Sequence, residues 1–203
     1  MGIGYALAYR AGIIPWEKAG RRDQPTLEHL LDREEADRPD RLKRAIDLGC
    51  GRGANTKLLL DRGWDAMGVD NVRQAVDVAV RRNGLDDARF VIGDVRHLVH
   101  SGVGARFDLF LDVGCFQSLD DVGRTLLAGG VTELAEPDAT VLIRTGGPRA
   151  WPVRPKDAIS RDIERAYRGW SVTAVSGVAS TDKTAPTRAS GGSTGEWFRL
   201  TRT

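Results

Sequence analysis

Three acidic residues lie in or directly after short apolar segments, where they could bind a ligand that carries amine and hydroxyl groups. Asp47 lies inside the first apolar segment, Asp70 ends the second, and Asp94 follows the third. Carboxylates accept hydrogen bonds from ammonium groups, exocyclic amines and sugar hydroxyls, most strongly when donor or acceptor is charged. If the segments are neighbouring strands, the set suits a ligand with an amine, a ribose and an adenine but no phosphates.

A glycine-rich turn follows Asp47 directly. The segment GCGRGA places glycines at positions 49, 51 and 53. Glycine lets a backbone approach a ligand closely at a helix N-terminus. The spacing also satisfies the loose dinucleotide pattern G-x-G-x-x-G/A, in which Asp70 would hold the ribose hydroxyls. Asp47 argues against a dinucleotide, because a carboxylate so close to a pyrophosphate would repel it.

The elements that position these residues alternate apolar strands with amphipathic helices. Predicted strands cover residues 45–49, 66–70, 90–94, 107–114, 140–147, 170–178 and 196–203. Helices are predicted between most of them, with a break or kink at Gly129-Gly130 because two glycines weaken a helix interior. No helix fits between the last two strands, so these should be antiparallel. The sequence therefore predicts an α/β fold: a doubly wound, Rossmann-like seven-stranded sheet, mostly parallel with a reversed last strand.

The chain is predicted to form one main domain with an N-terminal arm, a charged connection and a loop near its C-terminal end. Residues 1–44 are expected to form an N-terminal arm and a charged connection, and residues 45–203 the single main domain. The arm, which contains Trp16 and Glu17, is interpreted either as packing over the sheet or as a lid. The charged run 32–40 predicts a solvated connection, and the run 180–195, rich in Ser, Thr and Gly, predicts a mobile loop.

Composition limits the partners. The chain has 203 residues, 41% of them hydrophobic, and a formal charge of +2 from 30 basic and 28 acidic residues. This balance gives no global field that would select nucleic acid or an acidic membrane surface. The two cysteines suggest no disulfide framework, and no stretch approaches the ~20 apolar residues of a membrane span. We expect a cytoplasmic protein, monomeric or homodimeric, with no nucleic-acid or membrane partner.

Taken together, the motifs resemble those of class I S-adenosylmethionine-dependent methyltransferases. AIDLGCGRG is similar to the first motif of that family, Val69-Asp70 to its ribose acid, Gly93-Asp94 to its adenine site, and FDLFLDVGCFQSL to its fourth motif. The resemblance covers about residues 45–142 and implies S-adenosylmethionine as the cofactor. It implies that these residues bind the cofactor: Trp16, Asp47, Gly49, Cys50, Gly51, Asp70, Asn71, Asp94, Val95, Asp112 and Cys115. Gly53 would complete the loop around the methionine part, and Phe116 would line the cleft.

A closer resemblance is to small bacterial methyltransferases of small molecules. Tyr9-Arg10 and Pro15-Trp16-Glu17 are similar to the N-terminal arm of those enzymes, and Gly-Cys-Phe at 114–116 to a motif after their fourth strand. That motif continues with histidine, whereas this chain has Gln117. A glutamine side chain can orient an acceptor but cannot remove a proton. The candidate catalytic residues are Glu17, Asp112 and Gln117, with Tyr9 as a further possible base.

The expected reaction is transfer of a methyl group to a small-molecule acceptor. A hydroxyl on a sugar, phenol or heterocycle is the preferred acceptor, followed by a thiol or an amine. A metal pair at His97 and His100 is disfavoured, because no carboxylates follow the fifth strand, and no metal is predicted. Two alternatives stay open: a protein that binds S-adenosylmethionine without catalysis, which the absence of the histidine favours, and an NAD-dependent oxidoreductase, which shares the glycine loop and Asp70.

Overall fold

The computed structural model of the protein describes residues 24–39, 42–146, 156–175 and 196–203. The predicted arm with Tyr9, Trp16 and Glu17 lies outside these residues. So do the segment 147–155 and the predicted mobile loop at 180–195.

The described chain alternates helices and strands as the hydrophobic pattern predicts. The helices are α1 (Gln24–Ala36), α2 (Ala54–Asp61), α3 (Arg73–Asn83), α4 (Asp121–Leu134) and α5 (Lys156–Ala166). The strands are β1 (Arg44–Leu48), β2 (Asp65–Asp70), β3 (Phe90–Ile92), β4 (Phe107–Val113), β5 (Ala135–Thr145), β6 (Trp170–Val175) and β7 (Glu196–Arg202). Short 3₁₀ turns cover Asp87–Arg89, Val95–His100 and Phe116–Ser118.

These strands form one seven-stranded sheet in the order β3-β2-β1-β4-β5-β7-β6. The β1–β2, β1–β4, β2–β3 and β4–β5 pairs are parallel, whereas β7 runs antiparallel to both β5 and β6. The predicted fold class, including the reversed last strand, is confirmed. The strand order reverses between β1 and β4, and the carboxyl ends of parallel strands at such a point are where open α/β sheets bind ligands.

Both faces of the sheet are covered, which explains the nearly continuous apolar sequence of its central strand. In β4, the residues from Phe107 to Asp112 are all buried, as a parallel strand between two helical layers requires. On one face α1 packs its leucines against the strands, together with Leu59 and Trp64. Phe116, Leu127 and Tyr167 belong to the core cluster built around α4 and α5.

The predicted solvated connection at 32–40 holds for most of its described residues, which are exposed, but it is wrong for Glu34 and Arg38. Helix α1 continues through most of this run, and Glu34 and Arg38 are only 0% and 6% exposed. Arg38 donates to Glu34 Oε2 at 2.8 Å, and Arg199 of β7 donates to Glu34 Oε1 at 2.6 Å. Arg38 also donates to the Oγ1 atom of Thr140 on β5, at 3.1 Å. Glu34 and Arg38 of this charged run therefore form a buried ion network with Arg199 that fastens α1 to β5 and β7.

The predicted break at Gly129-Gly130 is also wrong, since α4 runs without interruption from Asp121 to Leu134. A Cβ at position 130 would lie 3.2 Å from Leu98 Cβ, which belongs to the 3₁₀ turn packed on the helix. The absence of a side chain at Gly130 permits this close approach. Tertiary packing thus outweighs the weak helix propensity of glycine.

Candidate functional site

The register of the sheet brings several acidic residues to one edge. Asp47 on β1 pairs with Gly68 on β2 and with Leu111 on β4. Asp112 lies one position further along, opposite Leu48, and Asp70 ends β2 opposite Ile92. Asp47, Asp70 and Asp112 therefore lie at the carboxyl ends of three adjacent parallel strands.

The glycine loop that follows β1 needs its glycines. Gly49, Gly51 and Gly53 have φ of 70°, 53° and 72°, values that L side chains rarely adopt. A Cβ on Gly49 would lie 3.0 Å from Cys115 Cβ, and one on Gly53 would lie 2.8 Å from Ala79 Cβ. The loop is fixed to β2, because the N–H groups of Gly49 and Cys50 donate to the carbonyl of Val69 at 2.8 and 3.0 Å. It then opens directly into α2.

Asp47 is buried behind this loop and is hydrogen-bonded to the first turn of α2. Its Oδ2 atom accepts from the hydroxyl of Thr56 at 2.7 Å, and the backbone N–H of Thr56 also donates to it. Burial raises the pKa of Asp47 to about 7 despite these hydrogen bonds, and the nearby charge of Asp70 raises it further. Among the residues that the structure describes, no arginine or lysine pairs with Asp47.

Asp70 connects the glycine loop to the start of α3. Its Oδ2 atom accepts from the N–H of Gly51 at 2.9 Å, and its Oδ1 atom accepts from the N–H of Val72 at 2.8 Å. The N–H of Asn71 also donates to this carboxylate. Burial raises the pKa of Asp70, although the three backbone donors oppose the shift. Among the described residues, Asp70 thus holds the loop and the next turn through backbone N–H donors.

Asp94 lies two residues beyond β3 and is only partly buried. Its carboxylate accepts from Arg96 Nε at 2.9 Å and caps the following turn by accepting from the backbone N–H of Arg96 at the same distance. The hydrogen bonds from Arg96 lower the pKa of Asp94. Asp94 is therefore ionised and forms an ion pair with Arg96. The neighbouring Val95 is buried.

Asp112 holds the turn that follows β4. Its Oδ1 atom accepts from the N–H of Cys115 at 2.8 Å, and its Oδ2 atom accepts from the N–H of Phe116 at 2.9 Å. Burial raises its pKa to about 7, and the charge of Asp47 adds to this effect. Burial also raises the pKa of the Cys50 and Cys115 thiols well above their usual range, so neither is an activated nucleophile.

Gln117 joins this turn to the end of β5. Its Oε1 atom accepts from the N–H of Gly146 at 2.7 Å. Arg124 of α4 also holds this turn, because its guanidinium donates to the carbonyl oxygens of Phe116 at 3.2 Å and Gln117 at 3.4 Å. The buried guanidinium of Arg124 also pairs with Asp162 of α5. Gln117 thus holds the end of β5 against the turn after β4. Its amide cannot take a proton.

Neither a metal site nor a membrane span is found in the described part of the chain. His97 and His100 are exposed, and His97 has non-helical angles of φ −128° and ψ 36°, so the two side chains do not share a helical face. No three His, Cys, Asp or Glu side chains of the described residues lie close enough to hold a metal ion. None of the described helices has the length and apolarity needed to cross a bilayer.

The structure brings together the sequence-predicted residues of the glycine loop with Asp47, Asp70, Asp112 and Cys115, and it adds three positioning residues. Thr56 holds Asp47, Arg96 pairs with Asp94, and Arg124 holds the turn after β4. A polar residue in the otherwise apolar face of α2 is a signal for Thr56. For Arg124 the sequence offers no such signal, because its partners come from three separate segments.

Comparison with known proteins agrees with this geometry. Residues 45–137 match the family model described as a methyltransferase domain. The chain is 26% identical over 110 residues to the 2-heptyl-1-hydroxyquinolin-4(1H)-one methyltransferase of Mycobacteroides abscessus, over 53% of this chain and 48% of that protein. It is 30% identical over 113 residues to the malonyl-[acyl-carrier protein] O-methyltransferase of Acetivibrio thermocellus, over 55% of this chain and 38% of that protein. The chain thus spans less than half the length of both relatives.

The fold is also that of solved methyltransferases. The crystal structure of the Burkholderia thailandensis 1,6-didemethyltoxoflavin-N1-methyltransferase, with bound 1,6-didemethyltoxoflavin and S-adenosylhomocysteine, has a TM-score of 0.68 to this chain. The likeness covers 98% of this chain and 86% of the other, at 20% sequence identity. The whole described chain therefore has a methyltransferase-like fold, and residues 45–137 carry the matching domain sequence.

Proposed function

We propose that this protein is an S-adenosylmethionine-dependent methyltransferase that methylates a small molecule, most favourably on a hydroxyl group. The match to a methyltransferase domain and the methyltransferase-like sheet support both the activity class and the cofactor. Within the N-terminal segment 1–44, the arm that contains Trp16 and Glu17 is proposed to lie on the acceptor side of the main domain 45–203, at the cleft.

The observation that carries the proposal is the placement of the acids around the glycine loop. Asp47, Asp70 and Asp112 are buried at the ends of adjacent strands and receive hydrogen bonds from hydroxyl or backbone donors. Repulsion among uncompensated buried charges favours a ligand that brings positive charge. S-adenosylmethionine carries an ammonium and a sulfonium, whereas a dinucleotide would bring a pyrophosphate. The site therefore fits the methyl donor better than NAD.

The proposed roles follow the strand ends. Gly49, Gly51 and Cys50 would surround the methionine part of the donor, Asp70 with Asn71 would hold the ribose, and Asp94 with Val95 would face the adenine. When bound, the donor supplies an activated methyl group for in-line displacement. The protein's own contribution is to hold donor and acceptor aligned and to exclude water. Glu17 is the proposed base for a hydroxyl acceptor.

Asp112 and Gln117 are proposed to shape the acceptor side of the cleft. Asp112 accepts N–H groups from the turn that carries Cys115, and Gln117 accepts the N–H of Gly146 at the end of β5. Both contacts position backbone rather than expose a base. An acceptor that ionises readily, such as a phenol or an N-hydroxy heterocycle, needs little help from a base and suits this arrangement. The malonyl-[acyl-carrier protein] O-methyltransferase among the relatives supports an oxygen acceptor.

Two measurements separate the proposal from its alternatives. Calorimetry should show binding of S-adenosylmethionine and S-adenosylhomocysteine but not of NADH; the opposite pattern would indicate an oxidoreductase. Release of S-adenosylhomocysteine should then be measured with phenols, sugars, thiols and 2-heptyl-1-hydroxyquinolin-4(1H)-one as acceptors. Tight cofactor binding with no turnover on any acceptor would favour a binding protein without catalysis.

A further inference from the structure

Thr56 is a buried polar residue that the proposed roles do not yet include. It lies in the first turn of α2, three residues after Gly53, and it is completely buried. Its hydroxyl donates to Asp47 Oδ2 at 2.7 Å, and its backbone N–H donates to the same carboxylate. The N–H groups in the first turn of a helix lack intrahelical partners. Asp47 on β1 therefore caps α2 through Thr56.

The surroundings of Thr56 are built to admit this contact. Asp47 pairs in register with Gly68 on β2. A Cβ at Gly68 would lie 2.8 Å from Thr56 Oγ1 and 2.9 Å from Cys50 Sγ. Glycine at this position of β2 thus leaves the space that the threonine hydroxyl occupies. Thr56 is completely buried, so its hydroxyl cannot exchange Asp47 for solvent.

The charged and titratable groups around Asp47 oppose its ionisation, and the Thr56 hydroxyl acts against them. Asp70 at the end of β2 and Asp112 at the end of β4 are both acidic and both interact unfavourably with an ionised Asp47. Cys50 and Cys115 are thiols whose pKa is raised mainly by burial, and the charge of Asp47 adds to that shift. Within the described residues, Thr56 is the side chain that donates a hydrogen bond to Asp47 and thereby favours its charged form.

We propose that Thr56 is a positioning residue for the methyl donor, acting through Asp47: its hydroxyl orients that carboxylate and favours its ionised form, so that the site attracts a cationic ligand. This inference rests on the proposed function. It assigns Thr56 no contact with the donor. Its effect reaches the ligand through the charge of Asp47 across the glycine loop.

The expected effect is measurable without an acceptor. Losing a hydrogen bond to a carboxylate shifts its protonation equilibrium by about tenfold. With the pKa of Asp47 at about 7, its ionised fraction at pH 7 would fall from about a half to about a tenth. Thr56→Val should therefore weaken binding of S-adenosylmethionine about fivefold at pH 7, and the deficit should shrink by pH 8.

The experiment is calorimetry of S-adenosylmethionine with the wild type, Thr56→Val and Thr56→Ser. The Kd ratio of variant to wild type is taken at each pH, so that ionisation of the ligand cancels. Thr56→Ser keeps the hydroxyl and should bind within about twofold of the wild type. Thr125→Val, which removes an exposed hydroxyl on α4, is the matched control and should not change the Kd.

A double-mutant cycle with Asp47→Asn completes the test. In that background Thr56→Val should cause no further loss, because the charge it supports is gone. A deficit that persists with Asp47→Asn and does not vary with pH would overturn the proposal and leave Thr56 with packing alone. Wild-type affinity in Thr56→Val at pH 7 would also overturn it. Failure of the wild type to bind S-adenosylmethionine would instead refute the proposed function, and this inference with it.

Discussion

Replacing Asp70 by asparagine tests how the glycine loop and the ribose share one carboxylate. Asp70 Oδ1 accepts from Val72 N–H at 2.8 Å, and Oδ2 accepts from Gly51 N–H at 2.9 Å. An asparagine oxygen can keep the contact with Val72. Its NH₂ group then faces the N–H of Gly51, so two donors meet where a donor and an acceptor met before.

The magnitude follows from the two states of the site. A hydrogen bond to a charged group contributes ~1.5–3 kcal/mol, so losing the charged contact to the ribose should weaken cofactor binding about 10- to 150-fold. The stability of the free protein should change less, because two effects oppose each other. An unsatisfied N–H at Gly51 costs ~1–3 kcal/mol, whereas removing a buried charge that repels Asp47 recovers part of that.

The assay is calorimetry with S-adenosylmethionine and S-adenosylhomocysteine, combined with thermal melting of the free protein. Both ligands should lose affinity to the same degree, since both carry the ribose. Asp61→Asn removes an exposed acid that pairs with Lys57 on α2 and should leave the Kd unchanged. Unchanged affinity in Asp70→Asn, or a loss matched by Asp61→Asn, would refute the assignment of Asp70 to the ribose.

Three further predictions concern buried polar groups. Glu34→Gln leaves two guanidinium groups in the core beside a neutral amide and should lower the free energy of unfolding in urea by ~3–5 kcal/mol; a loss below about 1 kcal/mol would contradict it. Asp47 and Asp112, whose pKa burial raises to about 7, bind more protons in the folded than in the unfolded state. The melting temperature of the ligand-free protein should therefore fall from pH 5 to pH 8, and this pH slope should be shallower in Asp112→Asn. An unchanged slope in that variant would refute this origin. Among the described residues no group forms a hydrogen bond with the buried Tyr167 hydroxyl, so Tyr167→Phe should raise the free energy of unfolding by ~1 kcal/mol; a decrease of that size would indicate a partner for the hydroxyl.

The sheet could be predicted from the sequence because its determinants are local. Continuous apolar segments mark β1 and β4 as buried parallel strands, and the short last connection marks β7 as reversed. The glycine spacing and the acids at 47 and 70 could likewise be placed at strand ends. The methyltransferase domain predicted from these motifs matches the family model over residues 45–137.

The remaining features depend on contacts between distant residues, which the pattern does not contain. The run 32–40 looks solvated, yet Glu34 meets Arg199 from the far end of the chain. The helix through Gly129-Gly130 is continuous because Leu98 packs against it. In the sequence, Gln117 stands where the similar methyltransferases have histidine. In the structure its side-chain oxygen accepts a hydrogen bond from the N–H of Gly146. These partners are far apart in the sequence, so only the folded structure shows that they are in contact.

We propose that the carboxyl ends of β1 and β2 bind a methyl donor. A crystal structure with S-adenosylhomocysteine tests it most directly. We expect the ribose within hydrogen-bond distance of Asp70 and the methionine part over Gly49 and Gly51, with the sulfur facing the turn of Cys115. Electron density for the ligand elsewhere on the protein, or a ribose that does not contact Asp70, would contradict this assignment of the site.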